Sequence, residues 1–415
     1  MFITLPILSA LLLTTTLPAL SDDFRQCLIK LEQAALKAGI STKTINAGLK
    51  EAHFLPEVIQ LDRHQPEFQK TFAQYINSAV SASRLERGVI LLKQHKTFLD
   101  KLRDKYGVPP QILVAFWGLE SNFGNNLGEF IITDALVTLA CDKRRSKFFT
   151  AELIAALQLM DIYGFKKDDM IGSWAGAIGQ TQFLPSNYLK YAGAHDKKST
   201  PDLWSNLYDA LTSAAIFLSA LGWKKNGEWG HEVYVPNTFN YLQSGLGHKK
   251  TLAGWQNLGI KAVLSNKIRG NDISASLILP GGHQNAAFLV YNNFHIIMKW
   301  NRSIFYALSI GYFADRLIGH KPLHKELKDE GLLAKIHIEA LQKKLNGLGF
   351  TAGNADGLLG PATHKAITEF QHYKKIVADG YPSETVFKLL GIDRHLSPMP
   401  VINKRDSRTQ TKEPQ

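Results

Sequence analysis

The pattern of hydrophobic and polar positions predicts a mostly helical chain. Over residues 24–221 apolar positions recur with the three-to-four spacing of amphipathic helices, for example in segments 68–102 and 205–221. Between residues 224 and 299 the pattern changes to short alternating runs with more glycine and asparagine, which is typical of strands. Helical spacing returns over residues 303–317. We therefore predict a mainly α fold of the α+β class, in which an α-rich core carries a small β-containing insertion.

The C-terminal part reads as a separate unit of three short helices, residues 332–392, joined by a linker at 321–331. Its apolar residues have helical spacing, and two Ala-Asp-Gly turns separate the helices, at Asp356 and Asp379. Pro361 is suited to start the second helix and Ser383 to cap the third. Residues 393–415 form a polar tail that we expect to be disordered.

The first 21 residues have the features of a secretory signal peptide. They contain no charged side chain, and the apolar run at residues 5–13 is followed by the small residues Ala19 and Ser21. We predict export to the periplasm by this segment. The alternative is an uncleaved membrane anchor, and only in that case would a membrane be a partner.

Composition narrows the possible partners. The net charge of +12 suits an anionic polymer, for which peptidoglycan and nucleic acid are candidates. Nucleic acid is not expected, because no motif interleaves aromatic residues with the lysines and arginines. The two cysteines, Cys27 and Cys141, are an even pair that readily forms a disulfide in an exported protein. Two buried free thiols are the alternative.

The most informative residue is Glu120, in the segment Trp117–Gly124. A helix starting at Pro109 and Pro110 would bury one apolar face, and Glu120 would lie at the edge of that face near the helix end. Burial and the negative end of the helix dipole would both raise the pKa of its carboxyl group. A carboxylic acid that stays protonated near neutral pH can act as the general acid in glycosidic cleavage. The alternative is a helix-end glutamate paired with a nearby lysine.

Three segments in order, residues 120–124, 172–188 and 294–306, resemble the lytic murein transglycosylase B family. Their sequences include Glu-Ser-Asn-Phe-Gly, Gly-Ser-Trp-Ala-Gly-Ala-Ile-Gly-Gln-Thr-Gln-Phe and Trp-Asn-Arg-Ser. The C-terminal unit resembles the peptidoglycan-binding domain that often accompanies this family. The resemblance implies a lysozyme-like catalytic domain at residues 22–320, acting on peptidoglycan glycan strands.

The resemblance also implies roles for individual residues. Glu120 would protonate the bond between N-acetylmuramic acid and N-acetylglucosamine and then act as the base, giving a 1,6-anhydro product without water. The residues matching substrate-contacting positions are Ser173, Gln182, Trp300, Asn301, Tyr306 and Phe217. At two of these, Trp300 and Phe217, the family often has tyrosine, so we expect the affinity for individual sugars to differ and the reaction to be retained.

The same comparison argues against a metal or a cofactor. Some family members carry a calcium loop, but the corresponding residues 196–202 contain lysine in place of a ligand and lack the glycine. We expect a monomer, and the sequence does not identify partner proteins in wall synthesis or division. Two alternatives stay open: a non-catalytic peptidoglycan-binding protein, or a hydrolytic muramidase. The muramidase would need a second carboxylate, for which Glu129, Asp134, Asp168 and Asp169 are candidates without a supporting motif.

Overall fold

The computed structural model describes residues 22–63, 70–197, 199–263, 272–329, 331 and 333–394. The predicted signal peptide and residues 395–415 of the predicted tail lie outside these ranges. The helices are α1 (Asp22–Lys37), α2 (Thr42–Ile45), α3 (Pro56–Arg63), α4 (Phe72–Ala79), α5 (Ala82–Gln94), α6 (Lys96–Tyr106), α7 (Pro110–Ser121), α8 (Ile132–Cys141), α9 (Ser146–Tyr163), α10 (Pro185–Tyr191), α11 (Leu207–Ala220), α12 (Leu252–Asn257), α13 (Asn292–Trp300), α14 (Ile304–Leu317), α15 (Lys335–Gly347), α16 (Pro361–Tyr373) and α17 (Glu384–Leu389).

The strands are short by comparison: β1 (Phe130–Ile131), β2 (Ile171–Gly172), β3 (Gly230–Tyr234), β4 (Lys249–Thr251), β5 (Lys261–Ala262), β6 (Ser274–Ile278) and β7 (Ala287–Val290). The prediction of a mainly α fold with a small sheet is confirmed. Within the described ranges, no helix combines the length and the apolar character needed to span a membrane.

The chain divides into two compact units, and the first is discontinuous in sequence. It comprises the described parts of residues 1–63, 126–192 and 202–205. Helices α8 and α9 pack together in it, and strands β1 and β2 pair antiparallel. Cys27 of α1 and Cys141 of α8 form a disulfide across 114 positions of sequence. Closing a loop of this length stabilises a fold by about 4–5 kcal/mol in the chain-entropy model.

The second unit comprises the described parts of residues 64–125, 193–201 and 206–394. Its main core surrounds α7, against which α5, α6, α11 and α14 pack. The five-stranded antiparallel sheet, with strand order β4-β6-β7-β3-β5, has a second apolar cluster that includes the buried Trp255. Helices α15–α17 enclose a cluster of their own around Leu341, Ile367 and Phe387.

Two details of the helices differ from the pattern. The one-face prediction for α7 is too narrow, because residues 112–118 are all buried and other helices cover α7 on several sides. The apolar segment at 68–102 is not one helix within its described part. Ser81 starts a new helix by accepting a hydrogen bond from the Arg84 amide at 3.3 Å, and His95 lies between α5 and α6.

Candidate active site

Helix α7 carries the candidate acid near its C-terminal end. Pro109 precedes the helix in an extended conformation (φ −63°, ψ 143°) and Pro110 is its first residue, so the proline pair starts the helix as predicted. The middle of the helix is apolar and buried, whereas Glu120 is half-buried. The helix therefore brings one carboxyl group from the core of the second unit to its surface.

The chain turns sharply directly after Glu120. Asn122, Phe123 and Gly124 have positive φ values of 49°, 60° and 81°, a left-handed conformation that is uncommon for residues other than glycine. Ser121 supports the turn, because its hydroxyl accepts a hydrogen bond from the Gly124 amide at 2.9 Å. The turn ends the helix within two residues of the acid and fixes the direction in which the chain leaves it.

Gly118 lies two residues before Glu120, at a point where two aromatic rings pack against the helix. A Cβ atom there would come within 2.8 Å of the rings of Phe123 and Phe313, closer than atoms of a packed core approach one another. Glycine at this position therefore lets the turn fold back onto α7 and lets α14 pack closely against it.

The side chain of Glu120 is held by Tyr306 in the first turn of α14. Ser303 caps that helix by accepting a hydrogen bond from the Tyr306 amide at 3.2 Å. The Tyr306 side chain is buried, and its hydroxyl donates a hydrogen bond to Oε1 of Glu120. A buried hydroxyl needs a partner, so this bond fixes the orientation of the carboxyl group.

The other predicted residues of this unit lie close by. Trp300 packs between Phe116 and Phe217, with ring centroids 4.4 and 5.0 Å apart, and Phe217 is buried in the core. Asn301 accepts a hydrogen bond from the Ser303 amide at 3.0 Å, just before α14. The structure thus places Trp300, Asn301 and Phe217 in or beside the core around α7, and their roles in sugar binding stay predictions.

Ser173 belongs to the first unit, in a tight loop after strand β2. Its hydroxyl oxygen accepts hydrogen bonds from the amides of Ala175 (3.3 Å) and Ala177 (3.0 Å). Gly172 permits this loop, because a Cβ there would lie 2.2 Å from the Ala177 carbonyl oxygen. Since both lone pairs of the Ser173 oxygen are used, the hydroxyl hydrogen is left to donate to another group.

Gln182 ends the same loop with a positive φ of 49°. Its amide nitrogen donates to the carbonyl oxygens of Gly179 (2.8 Å) and Leu127 (3.3 Å). The side-chain carbonyl oxygen accepts no hydrogen bond from the part of the chain that the structure describes. The geometry therefore favours Gln182 as a hydrogen-bond acceptor for a ligand.

Sequence reasoning missed the residues that support these loops. Buried Glu152 of α9 accepts hydrogen bonds from the amide (3.0 Å) and the hydroxyl (2.7 Å) of Ser186, at the N-terminus of α10. Its signal in the sequence is a carboxylate directly followed by the apolar run of residues 153–157 in α9. Ser121 and Gly118 lie within or next to the quoted motif, but their supporting roles depend on contacts that a motif does not show.

The four candidates for a second catalytic carboxylate, none of which has a supporting motif, belong to the first unit. Glu120 belongs to the second. Asp134 is buried and forms an ion pair with Lys167 at 2.8 Å, which gives it a structural role. Glu129, Asp168 and Asp169 are exposed at the surface.

A cavity of about 1120 Å³ lies at the opposite end of α7, lined by Gln111 and Asp315 among others. The Trp229 indole donates to the Asp315 carboxylate at 3.1 Å, and His320 lies 3.8 Å from it. Burial raises the pKa of Asp315 to about 6, with a smaller upward effect from Glu228; His320 and the Trp229 hydrogen bond act in the opposite direction.

Comparisons with known proteins show which proteins this chain is similar to. Membrane-bound lytic murein transglycosylase B of Escherichia coli (strain K12) is 27% identical over 296 residues, covering 68% of this chain and 79% of that protein. The structure of SltB3 from Pseudomonas aeruginosa in complex with NAG-anhNAM-pentapeptide matches with a TM-score of 0.84 at 35% identity, covering 89% of this chain and 100% of that one. The Escherichia coli lytic transglycosylase Slt35 in complex with bulgecin A matches with a TM-score of 0.62 at 26% identity, covering 72% and 93%.

Two family models match separate parts of the chain. A putative peptidoglycan binding domain matches residues 337–390, which contain α15–α17. The transglycosylase SLT domain matches residues 23–315, which contain Glu120 and Tyr306. The resemblance deduced from three short motifs is thereby confirmed, and the chain belongs to the SLT-domain transglycosylase family.

Proposed function

We propose that this protein is a lytic transglycosylase that cleaves the β-1,4 bond between N-acetylmuramic acid and N-acetylglucosamine of peptidoglycan. The observation that carries the proposal is the Glu120 carboxyl group at the end of a buried helix, oriented by the Tyr306 hydroxyl. Family membership supports it, as do the solved SltB3 structures, which contain NAG-anhNAM-pentapeptide and NAG-NAM-pentapeptide.

In the first half of the reaction Glu120 acts as the general acid. Its proton passes to the oxygen that links the two sugars, and the bond from that oxygen to C1 of the muramic acid breaks. The hydrogen bond from the Tyr306 hydroxyl to Oε1 of Glu120 orients the carboxyl group for this transfer. The same hydrogen bond stabilises the negative charge that the departing proton leaves on the carboxylate.

In the second half Glu120 acts as the base. It takes the proton from the C6 hydroxyl of the muramic acid, and O6 forms a bond to C1 to give the 1,6-anhydro ring. The substrate's own 2-acetamido group stabilises the positive charge at C1 in between, so that one carboxylate suffices. Glu120 ends protonated, and no water is consumed.

Ser173 is proposed to orient the acetamido group. Its hydroxyl hydrogen is left to donate after its oxygen has accepted two backbone hydrogen bonds, and an acetamido carbonyl is a suitable acceptor. Gln182 would accept from a sugar hydroxyl or N–H group. Trp300, Asn301 and Phe217 complete the proposed substrate-contacting set.

The cellular setting is proposed on the same basis. A curated relative is named as a membrane-bound murein enzyme, and the apolar residues 1–21 precede the family match. We propose cleavage of that segment on export to the periplasm, where the disulfide between Cys27 and Cys141 can form. Residues 332–392 would bind the wall and keep the enzyme on its substrate.

The test compares residues 22–415 with the Glu120→Gln variant on purified peptidoglycan, with mass spectrometry of the released muropeptides. We expect products lighter by one water than hydrolytic ones, and a loss of rate of at least about a thousandfold in the variant, since it loses both proton transfers. Glu129→Gln, which changes an exposed carboxylate, is the control and should retain full activity.

Two results would contradict the proposal. Reducing ends that have gained water would identify a muramidase. Equal release of anhydro product by the Glu120→Gln variant would show that another group supplies the proton.

A further inference from the structure

The segment that leads to the C-terminal helices is hydrogen-bonded to the rest of the second unit at several residues between 324 and 329. The amides of His324 and Lys325 donate to the Glu232 carboxylate at 2.7 and 2.9 Å. Asp329 accepts hydrogen bonds from Thr71 and Gln74 at the N-terminus of α4, both at 2.9 Å. A flexible tether would make no lasting hydrogen bonds of this kind.

One loop of the second unit contacts both the connecting segment and the C-terminal helices; we call residues 281–285 the docking loop. Asn285 accepts a hydrogen bond from the Lys328 amide at 2.8 Å. His283 donates from its backbone amide (2.9 Å) to Oδ2 of Asp379, and its Nδ1 lies 2.6 Å from the same oxygen. The Asp379 carboxylate is 3% exposed, so these bonds are made out of water.

The packing around this contact is close. Gly282 has a φ of +76°, and a Cβ there would lie 2.9 Å from the Cβ of Tyr381. Lys325 donates to the His283 carbonyl oxygen at 3.0 Å, which braces the loop from the other side. A hydrogen bond to a buried charged group, such as the Asp379 carboxylate, is stronger than one between neutral groups.

The C-terminal helices contain two equivalent Ala-Asp-Gly turns. Comparing them shows which hydrogen bonds belong to the fold of the turn and which belong to docking. In the second Ala-Asp-Gly turn, Oδ1 of Asp379 accepts from the Gln371 side chain (2.7 Å) and the Tyr381 amide (2.9 Å). In the first turn, Oδ1 of Asp356 accepts from Gln342 (3.2 Å) and from the amide two residues on (2.9 Å).

The two turns differ in their second oxygen. Oδ2 of Asp379 bonds to His283, whereas Asp356 is exposed and its Oδ2 accepts no hydrogen bond from the residues that the structure describes. The internal network of a turn therefore forms without a partner at Oδ2. The bonds to His283 are additional to folding, and they serve docking.

We propose that the docking loop holds the C-terminal helices in a fixed orientation within the second unit, so that the peptidoglycan-binding part acts as a rigid extension of the Glu120 site. The fixed orientation is argued from the His283–Asp379 contact. Its consequence for cleavage of the cell wall rests on the proposed function. Rigidly held C-terminal helices keep a bound glycan strand at one distance from the Glu120 site. Helices on a flexible linker would sample many distances.

The first experiment measures the orientation directly. Nitroxide labels on Lys101→Cys (α6) and Lys388→Cys (α17), both exposed positions, report their separation by pulsed electron resonance. We expect one narrow distance distribution in the parent and in Asp356→Asn. Asp379→Asn keeps Oδ1 but replaces the acceptor Oδ2 with an N–H donor, and should weaken docking by about 10- to 100-fold and broaden the distribution.

The Asp356→Asn variant is the matched control, because it makes the same change in the equivalent turn. A distribution that stays narrow in Asp379→Asn, or that is already broad in the parent, would overturn the proposal. His283→Ala serves as a second variant that leaves the C-terminal turns intact, and it should behave as Asp379→Asn does.

The second experiment measures release of product from intact sacculi and from soluble glycan strands. We expect Asp379→Asn and His283→Ala both to lose about tenfold on sacculi and nothing on soluble strands, and His283 lies outside the proposed wall-binding residues 332–392. A rate on sacculi equal to that of the parent in both variants would contradict a role for docking. If the parent released no anhydro product, the proposed function would fail while the label distances still decided the docking.

Discussion

At the scale of single residues, the site combines a half-buried acid with a buried hydroxyl. Glu120 and Tyr306 are 186 positions apart in sequence, and their side chains meet because α7 and α14 pack together. The motif around Glu120 predicts the acid, but the tyrosine matched only a sugar-contacting position of the family. Its direct bond to Glu120 depends on the packing of two helices, which periodicity does not specify.

Replacing Tyr306 by phenylalanine should slow the reaction by about 10- to 100-fold, because the variant loses a hydrogen bond to a charged group. The initial rate of anhydro-muropeptide release measures this. Tyr312→Phe, on the same helix, removes a hydroxyl that contacts Arg316 rather than the acid and should leave the rate unchanged. Equal rates for both variants would remove Tyr306 from the mechanism.

Asp315 should make stability depend on pH. Its pKa is raised, mainly by burial, to about 6 from an ordinary value of 3.8, so the folded state binds the proton more tightly than the unfolded state. The stabilisation that this provides is complete below about pH 4 and is lost as the pH rises through about 6. At neutral pH the buried charge is a cost to the fold.

Asp315→Asn should therefore stabilise the protein at pH 8 by about 1–2 kcal/mol, after allowance for the 30% exposure of the side chain. The gain should vanish near pH 4, and urea unfolding at several pH values measures it. Asp168→Asn, at an exposed aspartate, is the control. A difference between parent and variant that did not change with pH would contradict this account.

At the scale of elements, local sequence signals predicted where helices begin and end better than they predicted which elements pack around them. Pro109 and Pro110 predicted the start of α7, and Asn122 and Gly124 its end, because these residues restrict the backbone whatever lies nearby. The extent of its burial could not be predicted, since nearly every residue of the helix is apolar and the spacing of one face does not exclude contacts on the others. Within segment 68–102 the helical spacing of the apolar residues continues across Ser81, although a new helix starts there in the structure.

Gly118→Ala tests the packing of α7 against α14. The added methyl group would overlap the rings of Phe123 and Phe313, so we expect a loss of about 1–3 kcal/mol in the free energy of unfolding. Urea denaturation measures it. Gly247→Ala is the control, because a Cβ there has open space and needs no positive φ. Equal stability of the two variants would mean that α14 can move away at no cost.

At the scale of the whole molecule, the sequence predicted the set of parts but not their connection. The α-rich core, strands β3–β7 and the three C-terminal helices are in the predicted places, whereas β1 and β2 lie in the part predicted to be helical. The discontinuous first unit was not predicted, because residues 1–63 and 126–192 are joined through contacts that no local pattern encodes. The docking loop was missed for the same reason: His283 and Asp379 are 96 positions apart, and each has an ordinary local sequence.

The docked C-terminal helices have a consequence for the length of the products. Because the Asp379 turn and Glu120 belong to the same unit, a glycan strand bound at its end by the C-terminal helices would be cut a set number of disaccharides away. Chromatography of early fragments from long strands should then show a preferred length, and the preference should disappear in Asp379→Asn. The enzyme would act as a molecular ruler, with the His283–Asp379 contact setting its length.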